Sequence, residues 1–487
     1  SGGGDYEVAT KNLGPSAGLT VASALLVDYV MTVAVSMSAA SANIASAVPW
    51  FGQHLVALTV GMIVLVTLLN LRGVRESGTL FAIPTYAFIF GIFAMIITAG
   101  VRLLMGDSLL AESANYTTKP EAAFTGAALV FLLARALSSG CTALPGVEAI
   151  SNGVPAFRKP KSDNAAKTLV MLGALSVTMF MSITLLALVT QVKVTEFDSD
   201  LIGLPPGTDQ MTVIAQIAEA VFSNFPPMFI FVSVTTALIL ALAANTAFNG
   251  FPVLGSILAQ DSYLPRQLHN RGDRLAFSNG ILTLAALAII LVVIFKASVT
   301  ALIQLYIVGV FVSFTLSQLG MIRHWTRELK LSTSAKDRGR MIRSRVINTV
   351  GLAMTGAVLV IVLITKFLHG AWIAILAMVV IFFAMRGVRK HYDHVARELD
   401  LAQADLSSVK ALPPRVHALV LVSGVHLPTM RALAYARASR PSTLEAITVD
   451  VDPVATEQIR QAWDDLAVPG TLRVLASPYR EVIRPVL

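Results

Sequence analysis

The sequence predicts an α-helical protein that crosses a membrane many times and ends in a small α/β domain. Three observations predict it. Hydrophobic residues make up 55% of the chain and charged residues only 14%, with a mean hydropathy of +0.71, which marks a polytopic membrane protein. Ten apolar runs lie before residue 390, each near the roughly 20 residues that span a bilayer. Beyond residue 393 the pattern changes to short apolar runs separated by polar, helix-periodic stretches.

The runs lie near residues 17–47, 54–71, 79–104, 124–156, 165–192, 226–248, 277–295, 299–322, 346–367 and 370–386, and the loops between them alternate in charge. Lys11 precedes the first run, and Arg72 and Arg75 follow the second. Arg158, Lys159 and Lys161 follow the fourth, and Arg266, Arg271 and Arg274 the sixth. The loop from 323 to 345 is strongly basic, and Arg386, Arg389, Lys390 and Arg397 follow the tenth run. The intervening loops, 107–121, 196–209 and the turns at 49–53, 296–298 and 369, are short, neutral or acidic. Basic loops stay in the cytoplasm, so each run crosses once and both ends of the chain are expected there. The net charge of +8 is thus explained by loop asymmetry and calls for no nucleic acid. One cysteine, Cys141, excludes a disulfide framework and a thiolate metal site. The opening Ser1-Gly2-Gly3-Gly4-Asp5-Tyr6 is no signal peptide and reads as an interior point of a longer chain.

Two stretches are not read as spans. Residues 212–222 carry Val213, Ile217 and Val221 at helical spacing and predict a short amphipathic helix along the outer interface. Residues 251–269, with Pro252, Asp261 and Pro265, predict a partly helical cytoplasmic connection. The membrane domain is placed at 1–392 and a polar linker, ending in Pro-Pro, at 393–414. A cytosolic domain follows at 415–487. In it, residues 417–423 (HALVLVS) lack polar alternation, as in parallel sheets, and 444–451 and 472–476 predict two further strands. Helices are expected at 428–438 and 454–466, giving strand-helix-strand-helix-strand.

The feature that most needs explaining lies in the fourth run. Ser138-Ser139-Gly140, then Pro145-Gly146 and Glu148, interrupt an apolar stretch long enough to span. Proline removes a helix donor, and irregular backbone at membrane depth survives only where protein or a wet cavity covers it. An interrupted helix with an acid reads as a substrate or ion site. The plainer alternative is a proline kink with Glu148 at the interface. Thr142 offers a further oxygen. Arg135 fits a counter-ion, a gate or a side chain reaching the surface, and Cys141 a small buried residue.

In the first run Asp28, Thr32 and Ser36 recur every four residues beside Tyr29, so one helix face offers oxygens. Hard cations take oxygen ligands. Small hydroxyl residues also serve helix packing, but a carboxylate has no use there. In the eighth run Tyr306, Ser313, Ser317 and Gln318 are the polar members. Tyr306 fits a cavity hydroxyl and an aromatic-belt residue equally. Asn245, Thr246 and Asn249 near the end of the sixth run fit helix capping as well as transport. No Walker A loop, GxSxG elbow or His pair at metal spacing is present, so the sequence points away from an enzyme and from ATP-driven transport.

The stretch Gly140-Cys141-Thr142-Ala143-Leu144-Pro145-Gly146-Val147-Glu148-Ala149-Ile150-Ser151-Asn152-Gly153 resembles the sixth-helix signature of the amino acid–polyamine–organocation superfamily. Within it, Asp28-Tyr29 and residues 305–318 resemble the third and tenth helices of the KimA-type bacterial potassium importers. Phe251-Pro252 and Leu264-Pro265-Arg266 resemble the superfamily's loop after its eighth helix. The resemblance runs from about residue 3 to 392, and the last hundred residues resemble those importers' universal-stress-like domain. It implies a LeuT-like inverted-repeat fold, with about ten spans present of an expected twelve. The chain would then begin after the first two, without the unwound first helix. It implies secondary active potassium import, coupled to protons, in a bacterial plasma membrane. Potassium and proton binding would fall to Asp28, Tyr29, Thr32, Ser36, Thr142, Glu148 and Tyr306, with no cofactor. Pro145 departs from the threonine that relatives carry three positions before the glutamate. The C-terminal domain would bind cyclic di-AMP and make a homodimer. Two other functions remain open from the residues: an amino acid or polyamine permease on the same scaffold, and a membrane-anchored nucleotide sensor. Asp28 and Glu148 argue against a mere anchor.

Overall fold

The structure is a computed structural model that describes residues 4–72, 78–119, 126–140, 157–195, 200–205, 210–269, 277–332, 334–367, 370–400 and 415–477. The chain divides into two compact units, residues 1–394 and 395–487.

The first unit is helical. A short α1 (Gly4–Leu13) is followed by α2 (Pro15–Ala47) across a single hinge residue. Gly14 takes φ +102°, a conformation that disfavours side chains, its amide closes on the Thr10 carbonyl, and Pro15 opens the next helix. Then come α3 (Leu55–Leu71), α4 (Gly78–Leu104), α5 (Ala127–Gly140) and α6 (Lys161–Val189). A nine-residue α7 (Val213–Val221) precedes α8 (Pro226–Gln260), α9 (Ser278–Ile294), α10 (Val299–Leu331), α11 (Ala335–Lys366) and α12 (Ala371–Glu398). Among the described residues eight helices are long and apolar enough to cross a membrane, and α9 is a shorter apolar helix. Residues 141–156 of the fourth run lie outside the described residues.

Burial sorts these helices. α2 is the most enclosed of the spans and packs against α1, α3, α8, α9 and α10. Its buried residues go all round the helix, as expected of a helix surrounded by others. α6 and α11 keep most of their apolar surface outward, the pattern of lipid-facing helices. A second cluster joins α4, α6, α7 and α8 through Ile92, Met95, Met179, Leu186, Ile217 and Val232.

Two sequence expectations change. The segment at 251–260 is not a connection but the continuation of α8, which passes through Pro252 without ending. Gly280 of α9 packs on the proline ring, where a Cβ would sit 2.9 Å from it. Capping therefore does not explain Asn245: the helix continues, and Asn245 accepts a 2.7 Å hydrogen bond from the Asn70 side-chain amide. The amphipathic 212–222 segment is a helix, capped by the Thr212 hydroxyl, but its apolar face is buried against other helices. Arg102 of α4 closes the far end of α7 by donating to the carbonyls of Ala220 and Val221.

The second unit contains a parallel three-stranded sheet, β1 (His417–Leu421), β2 (Thr443–Asp450) and β3 (Thr471–Ala476), in that order. Helices α13 (Leu427–Ala438) and α14 (Pro453–Asp465) connect the strands. Leu433, Ala446, Trp463 and Val468 form its core, and the Trp463 indole donates to the Gly470 carbonyl. The first strand was expected to be buried on both faces. Among the described residues it lies at the edge of the sheet, with Leu419 and Leu421 exposed.

Candidate ion-binding site

The site forms where α2 and α10 pass each other antiparallel. Asp28 lies near the middle of α2 and is 1% exposed. The approach is set by Gly309 of α10. A Cβ on it would lie 2.9 Å from the Ala24 carbonyl oxygen and 3.6 Å from Asp28 Cβ, so only glycine lets the backbones close to this distance. One turn along α2, the Thr32 hydroxyl donates to the Tyr306 hydroxyl at 3.3 Å. Tyr306 is 8% exposed and so is not an aromatic-belt residue at the surface. Ser36 is half-buried a further turn away on the same face.

Tyr29 faces elsewhere. Its ring packs on Gly250 of α8, where a Cβ would lie 2.6 Å from the ring. The structure thus brings Asp28, Thr32 and Tyr306 together, keeps Ser36 on their line and holds Tyr29 against a third helix. Thr142 and Glu148 lie outside the described residues, as do Cys141 and Pro145. Arg135 is half-buried on α5. Chemically, a buried carboxylate beside two hydroxyls offers hard oxygen ligands to a dehydrated cation. Among the described residues no group of three His, Cys, Asp or Glu side chains is placed to hold a metal ion.

A cavity of about 980 Å³ opens at the far end of α2, lined by Ser46, His54, Glu112, Gln210 and Lys296 among others. None of the α2–α10 residues above lines it, so this cavity at the neutral-loop end is separate from them. Near it, partial desolvation on α7 and then the charge of Glu112 push the Glu219 carboxyl up from its usual range.

Sequence reasoning missed a polar network at the basic-loop end. Asp5 of α1 accepts from Ser313 at 2.9 Å and Ser317 at 2.8 Å. Its neighbour Tyr6 donates to Asp261 at 2.6 Å. Arg389 of α12 donates to the Asp261 carbonyl and lies 5.4 Å from the centre of the Tyr263 ring, a cation–π distance. The four-residue spacing of Ser313 and Ser317 was the available signal, but it does not name the partner.

A buried acid between closely packed spans is the arrangement expected of a multi-pass membrane transporter. A family model described as amino acid permease matches residues 1–388, and one described as the KimA potassium transporter C-terminal domain matches residues 415–487. The chain is 36% identical over 486 residues to the potassium transporter KimA of Bacillus subtilis (strain 168), a match covering 99% of this chain and 74% of that protein. The chain belongs to the KimA-like transporters of the amino acid permease superfamily. That family consists of transporters and not of enzymes.

Proposed function

We propose that this chain takes up potassium by secondary active transport coupled to protons. Potassium is the substrate named for the Bacillus subtilis relative. The observation that carries the reading is buried Asp28, held by Gly309 beside the Thr32–Tyr306 hydroxyl pair. A carboxylate at that depth is rare and marks a candidate functional site, and beside two hydroxyls it offers hard oxygen ligands to a dehydrated cation. Asp28, Thr32, Ser36 and Tyr306 would form one wall of the site, Tyr29 would steady α2 against α8, and Thr142 and Glu148 would contribute from the interrupted span. A proton exchanging on Asp28 or Glu148 would couple the cycle.

The alternation of basic loops supports an orientation in the bacterial plasma membrane with both ends of the chain in the cytoplasm. The domain limits we adopt are 1–392 for transport, 393–414 for the linker and 415–487 for the cytosolic module. The match of that module to the KimA C-terminal family supports a regulatory part that binds cyclic di-AMP and joins two copies.

The test is uptake by the full-length protein in potassium-depleted cells, with Asp28→Asn, Glu148→Gln and Tyr306→Ala alongside. At equal membrane abundance each should lower uptake at least tenfold; undiminished uptake in all three sinks the site. Uptake that responds to an amino acid and not to potassium would favour the permease reading. For regulation, calorimetry of the full-length protein should show heat on adding cyclic di-AMP.

A further inference from the structure

One face of α11 is left open by the rest of the described chain. The helix packs on α10 and α5, and away from them it carries Lys336, Arg340, Arg343, Ile347, Val350 and Met354. These residues follow one another at steps of four and three, so they form a single row along the helix. All six are exposed, and the apolar ones reach 60%, 54% and 66% in that order. The row thus changes from cationic to apolar in about one turn, between Arg343 and Ile347.

That change falls at the membrane boundary, and two helices agree on where it is. In α11 the apolar segment starts at Val346. In α10, which runs antiparallel to it, Gln318 packs on Gly351, where a Cβ would lie 3.0 Å from the side-chain amide carbon. Five residues further along α10 is Arg323, which ends its apolar run and stands level with Val346. At 1.5 Å per residue, Arg343 lies about 5 Å and Arg340 about 9 Å beyond this level. The headgroup layer on each side of a bilayer is about 5–8 Å thick, and arginine and lysine reach along it with flexible stems.

In water such a row is costly. Cations in the first turns of a helix oppose its dipole, and like charges four residues apart repel. Among the described residues no carboxylate, Asp337 of the same helix included, lies within ion-pair distance of Lys336, Arg340 or Arg343. Arg338, on the other side of the helix, is accounted for: it donates to the carbonyls of Leu329 and Ser332 at the end of α10. That contact holds the start of α11 on α10 and turns the row outward. A free anion would satisfy the cations and leave Ile347, Val350 and Met354 unused. A lipid with a negative phosphodiester over acyl chains uses both halves, since guanidinium groups pair with phosphate oxygens.

We propose that this face of α11 is a docking surface for an anionic phospholipid of the leaflet on the basic-loop side. Lys336, Arg340 and Arg343 hold the headgroup phosphate, and Ile347, Val350 and Met354 lie along an acyl chain.

The test is calorimetric titration of the full-length protein in a neutral detergent. Short-chain phosphatidylglycerol, short-chain phosphatidylcholine and inorganic phosphate are the separate ligands. Phosphatidylglycerol should bind, and the other two should not at the same concentration. A basic residue near an anionic surface is worth about fivefold in affinity. Lys336→Gln with Arg340→Gln and Arg343→Gln should therefore weaken binding by roughly tenfold or more. Lys336→Arg with Arg340→Lys and Arg343→Lys keeps the charge and should stay within about threefold of the unaltered protein. Ile347→Ser with Met354→Ser should also weaken binding, through the acyl chain. If the glutamine variant does not fold, the unaltered protein still tests the charge, because its affinity should fall as salt is raised. Undiminished binding in the glutamine variant, or an affinity that ignores salt, would overturn the proposal. So would phosphatidylcholine or inorganic phosphate binding as tightly as phosphatidylglycerol. Altered uptake with unchanged lipid binding in the glutamine variant would overturn it too, and assign the row to a protein contact.

Discussion

The Thr32 hydroxyl donates to the Tyr306 hydroxyl across 3.3 Å, joining residues 274 positions apart in the sequence. At that length the bond is weak, as suits a contact that must yield when a cation arrives. Thr32→Val keeps the shape and removes the hydroxyl. A neutral hydrogen bond contributes about 1 kcal/mol, so losing this ligand should raise the KM for potassium roughly fivefold. Membrane abundance should not change. An unaltered KM, measured by uptake at graded potassium, would mean that Thr32 only packs.

Two glycines on adjacent helices should respond oppositely to the same substitution. Gly309→Ala would place a methyl group 2.9 Å from a backbone carbonyl that cannot move aside without displacing α2. Overpacking of this kind costs about 1–3 kcal/mol, and it should lower both melting temperature and uptake. A Cβ at Gly356 of α11 would meet only the Thr315 methyl group, at 4.0 Å. Gly356→Ala should be neutral or stabilising by about 0.5–1 kcal/mol, the helix-propensity difference. Thermal unfolding in detergent separates the two, and equal melting temperatures would contradict the packing argument.

Apolar runs and loop charge made the spans legible because both are local properties of the chain. The Asp28–Thr32–Ser36 stripe was legible for the same reason: helical periodicity alone puts these residues on one face. What periodicity does not give is the partner. That Tyr306 meets Thr32, and that Tyr29 turns away to Gly250, depends on which helices the fold sets side by side. Pro252 misled because a proline usually ends a helix, whereas here α8 runs on to Gln260 with the proline ring packed on Gly280 of α9. Asp5 was overlooked because a short polar stretch ahead of the first apolar run carries no spanning signal, although residues 4–13 form a helix docked on α2 and α10.

Glu219 gives a pH dependence with a definite sign. Partial desolvation, with Glu112 nearby, raises its pKa above that of an unfolded chain, where glutamate titrates near 4.3, as a rough value. The folded protein thus holds this proton to higher pH than the unfolded one. Its contribution favours folding below the unfolded pKa and is lost as pH rises through the folded value. Glu219→Gln should remove the dependence and raise stability near neutral pH by a small, salt-sensitive amount, since the side chain is largely exposed. Melting temperatures between about pH 4 and pH 7 test this. A variant that tracks the unaltered protein across that range would assign the effect elsewhere.

The Tyr6–Asp261 hydrogen bond ties α1 to the end of α8 at the basic-loop end, next to the Arg389 contact from α12. Tyr6 is 3% exposed, whereas Asp261 reaches solvent, so the bond is screened on one side only. A hydrogen bond to a charged group contributes about 1.5–3 kcal/mol when well buried, and the lower end applies here. Tyr6→Phe and Asp261→Asn should each destabilise the protein by about 1 kcal/mol. The double variant should cost little more than either one, because each single change already breaks the same bond. Because the bond joins two helices at one end of the bundle, weakening it should also favour opening there. A cysteine placed at Ser317 should then react faster with a small thiol reagent in the Tyr6→Phe background with Cys141→Ala. Additive destabilisation with unchanged reactivity would make Tyr6 a packing residue without a role in closing that end.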